Sequence, residues 1–168
     1  MRIKKIKVYT FDELSDKAKE KAMNWYREGN DLSYTWEDMQ ADAKNIGLKL
    51  KGTHQESMDG DFIESASVCA DAILREHGKM CETYKTAQKF ITEHEKIWAD
   101  YREKEAKGED TNQIEYEIED CKDEFLKSIL EDYRIMQEKD EEYQNSDEVV
   151  IESIQINEYE FDENGERV

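Results

Sequence analysis

The chain has 168 residues, 37% of them hydrophobic and 40% charged, with a formal net charge of -19, three cysteines and no proline. That length allows one domain over 1–168, with room for a helical hairpin packed on it or projecting from it. The charge argues against nucleic acid or an anionic membrane surface as a direct partner, because phosphate binding needs a basic patch, and it favours a basic protein partner or cations.

Taken in order, Ile3, Ile6 and Val8 alternate with lysines, and Val8-Tyr9-Thr10-Phe11 favours extended structure, which predicts a first strand to about Phe11. Ser15 then reads as the N-cap of a helix with Ala18, Ala22, Trp25 and Tyr26 inward, ended by Gly29 and Asn30. A second helix is expected from Ser33 or Thr35 to Ile46 on the stripe Trp36, Met39, Ala43 and Ile46, stopped by Gly47. Leu48 to Gly52 alternates as a strand. Ser57 to Asp61 is turn chemistry centred on Asp59-Gly60, and Phe62 to Ser65 would be the returning strand. Ser67 would cap a short helix through His77, with Val68, Ala72 and Ile73 inward and Gly78 as its stop.

The two longest helices follow. Glu82 to about Lys104 places Tyr84, Ala87, Ile91, His94, Trp98 and Tyr101 on one face, and Lys107 to Thr111 is a loop. Asn112 to Tyr143 then carries Ile114, Ile118, Cys121, Phe125, Ile129, Tyr133 and Met136 at three-and-four spacing, with no Gly or Pro to break it. At about 1.5 Å per residue it would run roughly 45 Å. Together the two should form an antiparallel hairpin over about 80–143. Asn145-Ser146-Asp147 caps a last short helix anchored by Val149, Val150 and Ile154. Tyr159-Glu160-Phe161 alternates as a final strand before an Asn164-Gly165 turn. Terminal strands pairing with the central hairpin would give a small, antiparallel sheet against helices, an α+β domain, mostly helical.

The chemistry-bearing residues are sparse. Cys69, Cys81 and Cys121 fit no disulfide framework, and reduced thiols in a cytosolic protein are the simplest reading, with Cys69 and Cys121 in the core. His77 and Cys81 are the one pair at ligand spacing. A zinc site needs four clustered ligands, so a free thiol and a surface imidazole are expected instead. No local signature marks a nucleophilic cysteine. Asp59-Gly60-Asp61 lacks the ligand pattern of a calcium loop. No cofactor, metal or catalytic residue is therefore expected. Trp25, Tyr26, Trp36, Trp98 and Tyr101 fall at core spacings rather than forming a base-stacking platform. The N-terminus has no apolar run of a signal peptide, and no stretch approaches the roughly 18 apolar residues of a membrane span. A cytoplasmic protein is expected.

The charge is concentrated. From Glu109 to Val168 there are 22 acidic and 5 basic residues, a net of -17, whereas residues 1 to 108 carry a net of -2. Acidic helices can serve solubility alone. On the long helix, however, Asp120, Asp123, Glu124, Glu131, Glu138 and Glu141 share the face opposite the apolar stripe. Asp120, Glu124, Glu131 and Glu138 would stand roughly 6 to 10 Å apart along the axis, comparable with phosphates along a nucleic-acid strand. These six are the expected partner-binding residues. Ile135, off the inner stripe, leaves room for a homodimer interface.

Several runs resemble a family of small acidic phage and prophage proteins. They are Phe11-Asp-Glu-Leu-Ser-Asp-Lys-Ala-Lys-Glu-Lys-Ala22 with Trp25-Tyr26, Trp36-Glu-Asp38, and His77-Gly-Lys-Met-Cys-Glu-Thr-Tyr-Lys85. Leu130-Glu-Asp-Tyr-Arg134, Glu142-Tyr143, Ser146-Asp-Glu148 and Ile156-Asn-Glu-Tyr-Glu-Phe-Asp-Glu-Asn-Gly165 carry it most specifically. Members are often labelled the antitoxin of a toxin–antitoxin stability system. The resemblance implies a mobile-element protein acting in bacterial cytoplasm, a class that frequently antagonises host defence enzymes. With the acidic face, it leads to the expectation of a non-enzymatic inhibitor of a nucleic-acid-handling defence protein, anti-CRISPR or anti-restriction in kind. An antitoxin neutralising a small basic toxin is the alternative. An accessory protein of the particle, or an enzyme with an unrecognised site, follows behind.

Overall fold

The computed structural model describes residues 7–52 and 58–168. Among them are six α-helices and one two-stranded antiparallel sheet, a mostly helical α+β chain. The helices are α1 (Asp16–Gly29), α2 (Ser33–Asn45), α3 (Ala66–Glu76), α4 (Glu82–Lys107), α5 (Asn112–Gln144) and α6 (Asp147–Ile156), and the strands are β1 (Leu48–Lys51) and β2 (Asp59–Phe62). The chain divides into two compact units, one comprising Met1–Leu32 with Glu138–Val168 and the other Ser33–Gln137.

The first unit is built from both ends of the chain. Ser15 caps α1 as expected, accepting from the Ala18 amide at 3.4 Å. Phe11, Leu14, Ala18 and Ala22 are buried against Val150, Ile154 and Phe161. The expected first strand is not formed by its described part. Phe11–Glu13 makes a turn of 3-10 helix, and Tyr9 alone bridges Phe161, by bonds of 2.8 and 2.9 Å; Ile3 and Ile6 lie outside the described residues. Glu13 draws the chain out of extension by accepting from the Thr10 amide at 2.8 Å. The expected last strand is likewise reduced to bridges from Phe161 to Tyr9 and Arg167. Among the described residues the terminal segments thus pair with each other, and β1 and β2 form a two-stranded sheet of their own. Trp25 and Tyr26 are half-buried rather than core, in an aromatic cluster where Arg167 lies over Trp25 at 5.1 Å and Tyr159 at 4.7 Å. Gly165, at φ +80°, makes the expected turn, and a Cβ there would sit 2.1 Å from the Ala18 carbonyl oxygen.

The second unit is contiguous. Gly47, at φ +81°, turns the chain from α2 into β1. β1 pairs with β2 in the register Leu48↔Phe62 to Lys51↔Asp59, so Leu48 and Leu50 are buried while Lys49 and Lys51 face out. Asp59-Gly60 is therefore strand, not turn; the residues linking β1 and β2 precede it, and Ser57 lies outside the described residues. The reason is steric. A Cβ at Gly60 would lie 2.7 Å from the Lys49 carbonyl oxygen and 2.9 Å from Leu130 Cδ2, so glycine here serves close packing rather than turning. α3 starts one residue before Ser67, because Ser65 is the cap, accepting from the Val68 amide at 3.3 Å. That rotates Val68 to 46% exposure and brings Cys69 and Ala70 inward with Ala72 and Ile73.

α4 and α5 form the expected antiparallel hairpin: Thr86 donates to Asp132 at 2.6 Å, and the Phe90 and Phe125 rings stack at 4.3 Å. Gly108, at φ +69°, closes α4 three residues later than expected, at Lys107. The core inward of these rings holds Trp36, Ile46, Leu48, Cys69, Ile73, Ile129 and Tyr133. Each fully buried aliphatic side chain there stabilises the unit by about 1.5–3 kcal/mol relative to exposure. The inner face of α4 runs through Thr83, Ala87 and Phe90, and Tyr84, Ile91, His94, Trp98 and Tyr101 are only half-buried. Of the five aromatics expected in the core, Trp36 alone is buried.

Candidate partner-binding face

α5 is held by the side chains it buries. Ile114, Ile118, Phe125, Ile129, Leu130, Tyr133 and Gln137 are its buried residues. The stripe departs from the expected one at two positions: Cys121 is half-buried, and Met136 is 44% exposed while Gln137 takes the inner place. A helix of 3.6 residues per turn drifts against a fixed three-and-four pattern, and here the step from Tyr133 is four.

The six expected partner-binding carboxylates divide between the units. Asp120, Asp123, Glu124 and Glu131 belong to the second unit and are exposed. Glu138, exposed, and Glu141, half-buried, belong to the first. Glu131 is already engaged, because Arg134 Nε and Nη2 each donate to it at 2.7 Å. The Arg134 guanidinium holds its carboxyl below the usual glutamate range. Glu131 thus offers a partner a carboxylate that a same-helix arginine has partly neutralised.

Asp120 and Glu124 instead line a groove of about 570 Å³ between α5 and α4. Glu117 joins them from α5, and Glu93 and Asp100 face them from α4. Lys96 is the cation within the lining, and Ile97 and Cys121 supply its apolar surface. A second depression, about 150 Å³, shares Glu93, Cys121 and Glu124 and reaches Phe90 and Phe125. The Cys121 thiol registers this setting, pushed up by burial and then by the carboxylates of Glu93 and Glu124. Sequence reasoning missed the α4 side. Its signal was Glu93, Lys96, Ile97 and Asp100 at three-and-four spacing, one flank of the stripe used to place the helix.

His77 and Cys81 have separate roles. The His77 side chain is only 10% exposed, not a surface imidazole. Its Nδ1 is 2.8 Å from Thr83 Oγ1, and its Nε2 faces Asp42 Oδ1 at 3.5 Å. The Tyr133 hydroxyl donates to the other oxygen of Asp42 at 2.6 Å. His77 Nε2 is buried and makes no hydrogen bond, so its approach to Asp42 is a close contact rather than a bond. The His77 contact, followed by the Tyr133 bond, holds the Asp42 carboxyl below its usual range against the opposing effect of burial. Burial, then Asp42, pushes the Tyr133 phenol far up. Thr83 is 1% exposed, so no substrate reaches its hydroxyl. Two bonds thus tie the unit internally: Tyr133–Asp42 joins α5 to α2, and His77–Thr83 joins the end of α3 to α4. Cys81 is exposed at the N-cap of α4. Among the described residues, no three His, Cys, Asp or Glu side chains gather closely enough to hold a metal ion. No helix among them is long and apolar enough to cross a membrane.

No protein-family model matches the chain, and neither a curated protein nor a solved structure matches it.

Proposed function

We propose that this chain is a non-enzymatic inhibitor that docks an acidic α5 face on a basic, nucleic-acid-handling protein of a bacterial defence system. The observation that carries the reading is the charge distribution. The net of -17 falls within Glu109–Val168, and Asp120, Asp123, Glu124 and Glu131 stand exposed on α5. Such a face competes with nucleic acid for the same cationic channel. Its association would be fast and salt-sensitive, because long-range attraction steers the encounter. The resemblance to phage and prophage proteins, resting on its sequence runs alone, supplies the biological setting and the cytoplasmic location.

The test is capture of partners from nuclease-treated bacterial lysate, eluted in rising salt. A nucleic-acid enzyme released at moderate salt is the expected result. Reversing Asp120, Asp123, Glu124 and Glu131 to Lys should abolish its capture. Reversing four exposed carboxylates of the first unit, Glu20, Glu28, Glu160 and Glu163, changes net charge equally and should leave capture within about threefold. Equal losses from both sets would reduce the effect to bulk charge and sink the proposal. Recovery of a small basic protein instead would make the chain an antitoxin.

A further inference from the structure

The α4–α5 groove combines an acidic rim with an apolar floor. Ile97 and Cys121, both half-buried, lie between carboxylates contributed by two helices, and the adjoining depression extends this floor to Phe90 and Phe125. Five carboxylates face Lys96 in the larger depression, and Lys89 lies in the smaller one, 4.0 Å from Glu93. Small inorganic cations need no apolar floor, and a nucleic-acid backbone would be repelled by the rim. A second copy of this chain would bring the same carboxylates against themselves.

We propose that this groove is a docking site for an amphipathic helix of a protein partner, with an apolar stripe on Ile97 and Cys121 and flanking Lys or Arg against the carboxylate rim. The proposal rests on the acidic-face reading and adds the form of the partner element to it. From Thr86 to Asp100 the α4 wall is about 21 Å long at about 1.5 Å per residue, which accommodates some four turns of a bound helix. Apolar anchors at three-and-four spacing would give register, and the rim would select basic over acidic helices. This differs from mimicry of a phosphate array, which needs carboxylates and no floor.

The experiment uses the whole chain carrying Cys81→Ser, which leaves Cys121 as the half-buried thiol and Cys69 as the buried one. The probe is a synthetic amphipathic Leu/Lys helix of about 18 residues. A scrambled peptide of the same composition controls for charge. Affinity is measured by fluorescence anisotropy and Cys121 alkylation by mass spectrometry. The expected result is that the amphipathic peptide binds at least about tenfold tighter than the scrambled one and slows Cys121 alkylation in step with occupancy. Ile97→Lys, with unchanged circular dichroism, should weaken binding about tenfold, while Glu20→Lys, an exposed carboxylate of the first unit, should change it less than about threefold. If both peptides bind equally and Cys121 stays reactive, the groove assignment is overturned and the acidic-face reading stands. If neither peptide binds at low salt, both fail.

Discussion

Replacing Tyr133 by Phe tests whether the buried tie at Asp42 holds the second unit together. The phenylalanine ring keeps the packing of a side chain that is 0% exposed and removes only the hydroxyl, 2.6 Å from the carboxylate. Hydrogen bonds to charged groups contribute about 1.5–3 kcal/mol. Asp42 is partly open to water, which places the expected loss near the lower figure, about 1.5 kcal/mol. With a urea dependence of about 1.5 kcal/mol per molar, the unfolding midpoint should fall by about 1 M. Fluorescence in a Trp25→Phe background confines the tryptophan signal to Trp36 and Trp98, both in the second unit. In an Asp42→Ala background the sign should reverse. There the buried hydroxyl has lost its acceptor, so removing it should be neutral or stabilising. The pH dependence follows from the lowered carboxyl of Asp42. A depressed acid stabilises the fold above its unfolded value, about 3.9, and loses that contribution as pH falls through the lower folded value. The cost of Tyr133→Phe should therefore be constant from neutral pH down to about 4 and shrink below it. A midpoint shift under about 0.2 M, or the same cost with Asp42 absent, would refute the tie.

Gly165→Ala should destabilise the first unit by at least about 2 kcal/mol, since it strains a left-handed residue and drives a Cβ to 2.1 Å from the Ala18 carbonyl oxygen; thermal unfolding followed at Trp25 checks it. The three thiols should react in order of exposure with a disulfide reagent at neutral pH. Cys81 should react first and Cys121 slowly, while Cys69, whose thiol burial pushes up to about 12, should react only on unfolding. Mass spectrometry of the labelled peptides assigns each rate.

Helices were the legible part of the fold because their signals are local. Ser15, Gly47 and Gly108 sit at the ends of elements whose interiors carry no breaker, so capping chemistry and periodicity agree. Asp59-Gly60 misled because a dipeptide suited to a turn also suits a strand that must approach Lys49 and Leu130 closely, and those neighbours are remote in sequence. The same holds for His77. Its surface reading fails through Asp42 and Thr83, which come from separate helices. Of the candidate face, Asp120 and Glu124 were legible as outward carboxylates. Their partners across the groove were not, because periodicity predicts which face a helix buries but not the flank against which its neighbour settles.

The separation of Leu32 from Glu138 in the first unit has a consequence for synthesis. At about 5 to 20 residues per second, the ribosome needs roughly 5 to 20 s to pass from one to the other. Throughout that interval Phe11, Leu14, Ala18 and Ala22 wait without Val150, Ile154 and Phe161 to cover them. The second unit has all its segments in one stretch, complete at Gln137, and can close while Val150, Ile154 and Phe161 are still to be added. Translation thus orders assembly from the middle of these residues outward, and α1 stays without its covering side chains until Phe161 has been made.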